Sequence, residues 1–330
     1  MNPIRQSIRN LGLLLASAFS GPIFAQAQPP LPVSASISAA NPVRKVLIIG
    51  IDGLRSDALM AARAPRIKAL MQEGSFALDA WSDSITSSGP GWSSLLTGVW
   101  HGKHGVLGNG GMEAAYEGQA YPHFFRRLKA LRPHLRTASI VNWKPINDVL
   151  AGPSGATDVL LSPEDDETVA AQASDLLSKG DPDVMFLHFD NPDHYGHTYA
   201  FSPYSPFYLY AIRRTDDRVG RVLDALARRP SRAQEEWLIL VVTDHGGVWR
   251  HHGEDIPVCR RIPFIVSGDG AAHGESLAGI SQVDMAPMVL EYMGAALDPT
   301  WSWDGRARGL RPMVVAAVQG EPSPTATMRP

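Results

Sequence analysis

Runs of apolar, β-branched residues separated by helix-length segments constrain this chain more than any other feature. Lys45–Ile51, Arg136–Val141, Val184–Phe189, Trp237–Thr243 and Ile262–Val266 are continuous rather than alternating in hydrophobicity. That is the pattern of strands buried on both faces. Helical patterns lie among them at Pro65–Gly74, Phe124–Leu131, Asp166–Lys179, Pro206–Ala227 and Gln282–Met293. Strands joined by helices of this length predict right-handed crossovers and a parallel, doubly wound sheet. The 330 residues would admit one large domain or two smaller ones. No proline- or serine-rich linker divides them after residue 43 and no repeat recurs, so one domain over 43–310 is expected, followed by a weakly structured tail, 311–330.

In an open α/β sheet, ligands bind outside the carboxyl ends of the strands. Asp52 directly follows the first run, and Asp244-His245 directly follow the Trp237 run. The Val184 run leads into Asp193 and His197, spaced to face one ion across a tight turn, and His251-His252-Gly253 come shortly after Asp244. With a single cysteine, Cys259, the chain can form no intrachain disulfide or thiolate-rich zinc site, so any metal must be held by Asp and His. Such ligands suit zinc or manganese. A formal charge of −3 gives no basic field for nucleic acid.

Each piece has a plainer reading. Asp52 would serve as a helix N-cap, His188 reads as a satisfied core histidine, and an Asp-x-x-x-His spacing arises by chance. An Asp-His pair and two glycines at a strand end are rarer, and the four pieces together favour a metal site. Ser88, in Thr86-Ser87-Ser88-Gly89-Pro90-Gly91-Trp92, stands where a loop enters a helix, so its hydroxyl would meet the anion-binding end of the helix dipole. Ser87 or Ser88 capping that helix is the bland alternative.

Gly50-Ile51-Asp52-Gly53-Leu54-Arg55, Ser88–Gly98, His104-Gly105-Val106-Leu107-Gly108-Asn109, Asp193-His194-Tyr195-Gly196-His197, Thr243-Asp244-His245-Gly246 and His252-Gly253 stand in the order of the motifs of a known superfamily. The chain resembles the alkaline phosphatase superfamily, and within it the type I phosphodiesterase/nucleotide pyrophosphatase family, over about residues 43–270. The resemblance implies a three-layer αβα fold with a mainly parallel central sheet. It also implies two divalent metal ions, zinc first and manganese as the alternative. One would be held by Asp52, Ser88, Asp244 and His245, the other by Asp193, His197 and His252, with His251 a competitor for the last position. Ser88 would be the nucleophile of a phosphoseryl intermediate, and Asn109 a donor to a phosphoryl oxygen. The family's usual Thr-Phe-Pro-Asn-His reads Ser88-Gly89-Pro90-Gly91-Trp92 here. Gly89 thus lacks the bulk that helps form a nucleotide-base slot, which weighs against nucleotide preference.

The implied function is hydrolysis of small-molecule phosphodiesters or nucleotide pyrophosphate-type bonds. A phosphomonoesterase or phosphotransferase is the main alternative, with Arg55, Lys103 or Lys144 as its extra cation. A non-catalytic metal-binding secreted protein stands behind both. A sulfatase is disfavoured because Trp92 occupies the arginine position of its maturation motif. Residues 1–27 carry Arg5, Arg9, an apolar run and Ala25-Gln26-Ala27, the pattern of a signal peptide rather than a membrane span, so a periplasmic or secreted enzyme is expected after a flexible lead-in, 28–42. Arg213, Arg214, Asp216, Asp217 and Arg218 read as a solvated helix face. Cys259 reads as a surface or half-buried thiol. Trp301-Ser302-Trp303-Asp304-Gly305 is expected on the sheet edge or over the pocket, and Gly110–Pro122 in the pocket wall.

Overall fold

The computed structural model describes residues 42–110, 112 and 120–312. The expected signal peptide, nearly all of the expected lead-in and tail, and most of Gly110–Pro122 lie outside the described residues. Seven strands, β1 (Val43–Ile51), β2 (Ser75–Trp81), β3 (Thr137–Val141), β4 (Val159–Leu161), β5 (Val184–Phe189), β6 (Glu235–Val242) and β7 (Arg261–Gly268), form one sheet. Their order is β2-β7-β6-β1-β5-β3-β4. The five strands from β6 to β4 are parallel, whereas β7 runs antiparallel to both β6 and β2. The sheet is therefore mixed, because β6 reaches β7 through the 243–260 loop rather than through a crossover helix.

Both faces of the sheet are covered. Along β1, Val46 and Ile48 enter one core with Trp92, Leu96, Phe124 and Met288, while Leu47 and Ile49 enter the other with Ile67, Val169 and Val219. Helices Ser88–Thr97, Phe124–Leu131 and Met285–Tyr292 flank the first face, and Pro65–Glu73, Asp166–Lys179 and Pro206–Ala227 the second. This is the expected αβα sandwich. The five predicted strands and five predicted helices are all present, the last helix opening as a 3₁₀ turn at Gln282–Asp284. The two missed strands are edges: β2 alternates between buried and exposed positions, and β4 has only three residues. No helix among the described residues is long and apolar enough to cross a membrane.

Three side-chain expectations change. Asp216 is buried rather than solvated, and its two oxygens accept from the Arg66 and Ile67 amides at 3.2 and 2.8 Å, capping the neighbouring Pro65 helix. Arg218 is buried with it. Cys259 is fully buried, and burial, with the charge of Glu254, pushes its thiol up to about 11. The 301–305 segment clasps the far end of the Ser88 helix: Trp303 packs on Gly98, Asp304 pairs with Lys103 at 2.6 Å, and the Arg127 guanidinium lies over the rings of both Trp301 and Trp303.

The amino edge of the sheet is tied by a buried ion network. Arg229 donates to both oxygens of Glu235, the closest approach being 2.8 Å, and reaches Asp181, which also receives Lys45. Burial pushes the Glu235 carboxyl up, but its bonds from Arg229, Trp237 and Ser231 outweigh that and hold it at about 2. Glu235→Gln would leave Arg229 short of a buried partner and should cost about 3–5 kcal/mol in urea unfolding. A depressed carboxylate stabilises fully above its ordinary value of 4.5 and loses that contribution as pH falls through about 2. The gap between wild type and Glu235→Gln should therefore narrow between those limits, and a gap independent of pH would refute the assignment.

Candidate active site

Strand register brings the site together. Gly50 of β1 lies opposite His188 of β5 and Val242 of β6. Asp52, Asp190 and Asp244 thus leave three neighbouring strands at nearly one level. Asp52 caps no helix, since the helix starting at Ser56 has Arg55 at its N-cap. The chain turns at Gly53 with φ +62°, a conformation that favours glycine. A Cβ there would come within 2.7 Å of Asp193, while the Gly53 amide donates to Asp244 Oδ1 at 3.2 Å. Asp193 and His197 sit one helical turn apart on Asn191–Tyr199, so a helix face replaces the expected tight turn. Pro192 at the helix start suits its fixed φ, which explains how a short segment opening Asn-Pro-Asp becomes helical.

Ser88 is the first residue of the 88–97 helix, 6% exposed, and Ser87 holds the N-cap position without a side-chain bond. Neither serine is therefore spent on capping. A Cβ at Gly91 would stand 2.8 Å from Asp244 Cβ, so glycine lets this first turn press against the Asp244 loop. Asn109 Oδ1 accepts from the Gly89 amide at 2.7 Å, which holds its carboxamide at the helix start. A Cβ at Gly89 would stand 2.5 Å from the Gly108 carbonyl, so the 108–109 backbone fills the space a larger residue would need.

The donor atoms converge. Asp52 Oδ1, Asp193 Oδ1 and Asp244 Oδ2 are buried and have no hydrogen-bond partner among the described residues. His245, His197 and His252 each donate from Nδ1 to a backbone carbonyl, of Gly246 at 2.7 Å, Arg250 at 2.8 Å and Thr86 at 2.8 Å. In neutral imidazoles that leaves Nε2 bare, the usual arrangement of metal-ligating histidines. His245 Nε2 lies 3.2 Å from Asp244 Oδ2, 3.6 Å from Asp52 Oδ1 and 3.5 Å from Ser88 Oγ. His252 Nε2 lies 3.6 Å from Asp193 Oδ1 and 3.0 Å from His197 Nε2.

Acceptors facing acceptors at such distances repel unless a cation stands between them. The ligand atoms of Asp52, Asp244 and His245 lie within 4.8 Å of one another, as do those of Asp193, His245 and His252. His245 thus borders both groups, where the resemblance assigned it to one, because its ring stacks on His252 at 3.8 Å. Three orphaned carboxylate oxygens and three convergent imidazole Nε2 atoms fit divalent cations.

The electrostatics agree. Burial and the neighbouring Asp52 charge push the carboxyls of Asp193 and Asp244 up. Asp52 goes the other way: burial raises it, but the His188 hydrogen bond and the charges of His245 and His188 win and hold it below the usual carboxylate range. The hydrogen bond to Asp193 holds His197 up at about 9, while burial and His245 push His252 down to about 4. His197 Nε2 thus lies between Asp193 Oδ2 at 3.3 Å and His252 Nε2 at 3.0 Å, where a bound cation would take the place of the proton that Asp193 otherwise stabilises.

His252, not His251, belongs to the cluster, since His251 turns away to Glu254 at 2.7 Å. Arg55 is committed to the Phe201 and Gly247 carbonyls and Asp57. Lys103 is tied to Asp304, and Lys144 is exposed beside Asp148 at 3.1 Å. Sequence reasoning passed over Asp190, whose carboxyl burial and the Asp52 charge lift to about 7. Only the strand register reveals its place beside Asp52.

The model of the type I phosphodiesterase/nucleotide pyrophosphatase family matches residues 46–250, a span that contains Asp52, Ser88, Asn109, Asp193, His197, Asp244 and His245 but not His252. The chain belongs to this family, and with it to the alkaline phosphatase superfamily. Among curated relatives, choline-sulfatase of Rhizobium meliloti (strain 1021) is 31% identical over 121 residues, 35% of this chain and 23% of that protein. The human GPI ethanolamine phosphate transferase 2 catalytic subunit is 25% identical over 237 residues, 67% of this chain and 23% of that protein. The chain spans less than a quarter of the length of either relative. Among solved structures, human ectonucleotide pyrophosphatase/phosphodiesterase 5 superposes with a TM-score of 0.65 at 14% identity, covering 81% of this chain and all of that one. The murine protein, an inactive variant in complex with AMP, gives 0.60 at 15%, covering 78% and 96%. These likenesses show the fold of this chain.

Proposed function

We propose that this chain is an exported hydrolase of phosphodiesters that uses two divalent metal ions, zinc first, and a phosphoseryl intermediate on Ser88. The observation that carries the reading is the convergence of three orphaned carboxylate oxygens and the Nε2 atoms of three histidines beside a buried serine at a helix start. Asp52, Asp244 and His245 would hold one ion with Ser88, and Asp193, His197 and His252 the other. Bound there, the ions supply Lewis-acid neutralisation of the phosphoryl oxygens and lower the pKa of the serine hydroxyl.

The chain's own residues do the rest. Ser88 Oγ attacks phosphorus in line as the bond to the leaving oxygen breaks, and its proton is lost to solvent. The Asn109 carboxamide, its Oδ1 held by the Gly89 amide, offers its NH₂ as a donor to a non-bridging oxygen, where charge develops. Water then cleaves the phosphoseryl bond and restores the hydroxyl. A diester is favoured over a monoester because Arg55, Lys103 and Lys144 have partners of their own. The backbone packed against Gly89 supports a small substrate rather than a nucleotide. Phosphotransfer is the second reading, favoured by the 67% of this chain that aligns with an ethanolamine phosphate transferase. Export rests on the pattern of residues 1–27.

Activity of the purified protein in zinc and in manganese should be highest on bis-nitrophenyl phosphate, above a nucleotide nitrophenyl ester, nitrophenyl phosphate and an aryl sulfate. Preference for the monoester would overturn the diester assignment. Product phosphate appearing on added glycerol would promote the transferase reading. No turnover with metal bound would overturn catalysis altogether.

A further inference from the structure

The second oxygen of Asp52 is held by two side chains, one from the Ser88 helix and one from β5. Trp92 Nε1 and His188 Nε2 both donate to Asp52 Oδ2, each at 3.0 Å, while Oδ1 has no hydrogen-bond partner among the described residues. All three residues are buried, with exposures of 0%, 0% and 1%. The tautomer of His188 is fixed from behind: the Trp143 amide donates to Nδ1 at 3.3 Å, so Nε2 carries the proton that goes to Asp52. With both ring nitrogens engaged, His188 is not itself available as a ligand. The two donors brace each other, their rings meeting edge to face with centroids 4.8 Å apart. Gly50 makes the room, since a Cβ there would come within 2.7 Å of the Trp92 ring.

We propose that Trp92 and His188 are positioning residues that make Asp52 a one-oxygen ligand, aimed by its saturated Oδ2. This rests on the two-ion reading above. Two hydrogen bonds to a carboxylate in a dry site are strong, and rotating the group would break both at once. Trp92 also stands four residues after Ser88, on the same helix face, so the indole ties the nucleophile's helix to the ligand that ends β1, while His188 ties β5 to the same atom. The clamp therefore fixes the distance between nucleophile and ion as well as the direction of Oδ1. Packing alone would need rings of the right size here, but not two N–H groups converging on one oxygen.

Zinc affinities of the purified protein, measured by competition with a chromophoric chelator, test this. Wild type should bind two zinc ions. In Trp92→Phe and His188→Leu one of the two should bind on the order of 10–100-fold more weakly, the usual effect of losing a partner behind a metal ligand, while the other stays within about threefold. His188→Gln, whose amide can donate from near the Nε2 position, should recover most of the loss. Unchanged affinities in folded Trp92→Phe and His188→Leu would overturn the proposal, as would a His188→Gln no better than His188→Leu, which would assign the role to packing. Should His188→Leu not fold by circular dichroism, Trp92→Phe decides by itself. A wild type that binds no zinc would instead overturn the metal reading on which the clamp depends.

Discussion

Replacing Ser88 by alanine should remove turnover while leaving the metal content of the protein nearly intact. Loss of a nucleophile costs on the order of 10⁴–10⁶ in kcat where a covalent intermediate is obligatory. Metal binding should survive because Ser88 Oγ is the outlying member of its group, 3.5 Å from His245 Nε2, whereas Asp52, Asp244 and His245 meet without it. The site is already crowded where the serine stands, with Gly91 against Asp244, so the smaller side chain should be accommodated without movement. Turnover of bis-nitrophenyl phosphate by the variant and wild type, with zinc measured on the same samples, checks this. Residual activity within about tenfold of wild type would sink the nucleophile assignment, and loss of zinc together with activity would recast Ser88 as a ligand alone.

Removing the metal should have the second largest effect, on activity and stability together. Three buried carboxylates converge here, two of them with pKa values pushed up by burial and by the charge of Asp52, and their free oxygens have no hydrogen-bond partner among the described residues. Buried charge without a partner is costly, so the folded state depends on cations to neutralise it. At free zinc about 1,000-fold above its dissociation constant, a single bound ion contributes about 4 kcal/mol, which for a chain of this size moves Tm by on the order of 10 °C. Dialysis against a strong chelator should abolish turnover and lower Tm by at least that much, and adding zinc back should restore both. A Tm indifferent to the chelator would show that these side chains fold stably without a cation and would remove the physical basis for the site.

Much of the fold was legible because burial on both faces writes itself into sequence. Val46, Leu47, Ile48 and Ile49 are all fully buried, so β1 reads as a run rather than an alternation. Strands β2 and β4 lacked that signature because edge strands need not be apolar on both sides. The ligands were legible one at a time, since Asp52 and Asp244-His245 sit where strands end. What escaped were the groups whose role depends on a neighbour. His188 reads as core, and is core, yet its proton goes to a ligand; Asp216 lies among arginines on its own helix, yet caps another.

The sequence by itself determined the αβα class, the main strands and helices, and the residue types able to hold metal, because periodicity, burial and side-chain chemistry are local properties. Two of the continuous apolar runs, those followed directly by Asp52 and by Asp244-His245, also pointed to the carboxyl edge of the sheet. Tertiary structure decided the rest: the reversal of β7, the choice of His252 over His251, the place of His245 between both groups of ligands, and which oxygen of Asp52 is free. Each of these depends on the register of β1 against β5 and β6 or on the packing of the Ser88 helix, contacts between residues far apart in the chain that no local pattern encodes.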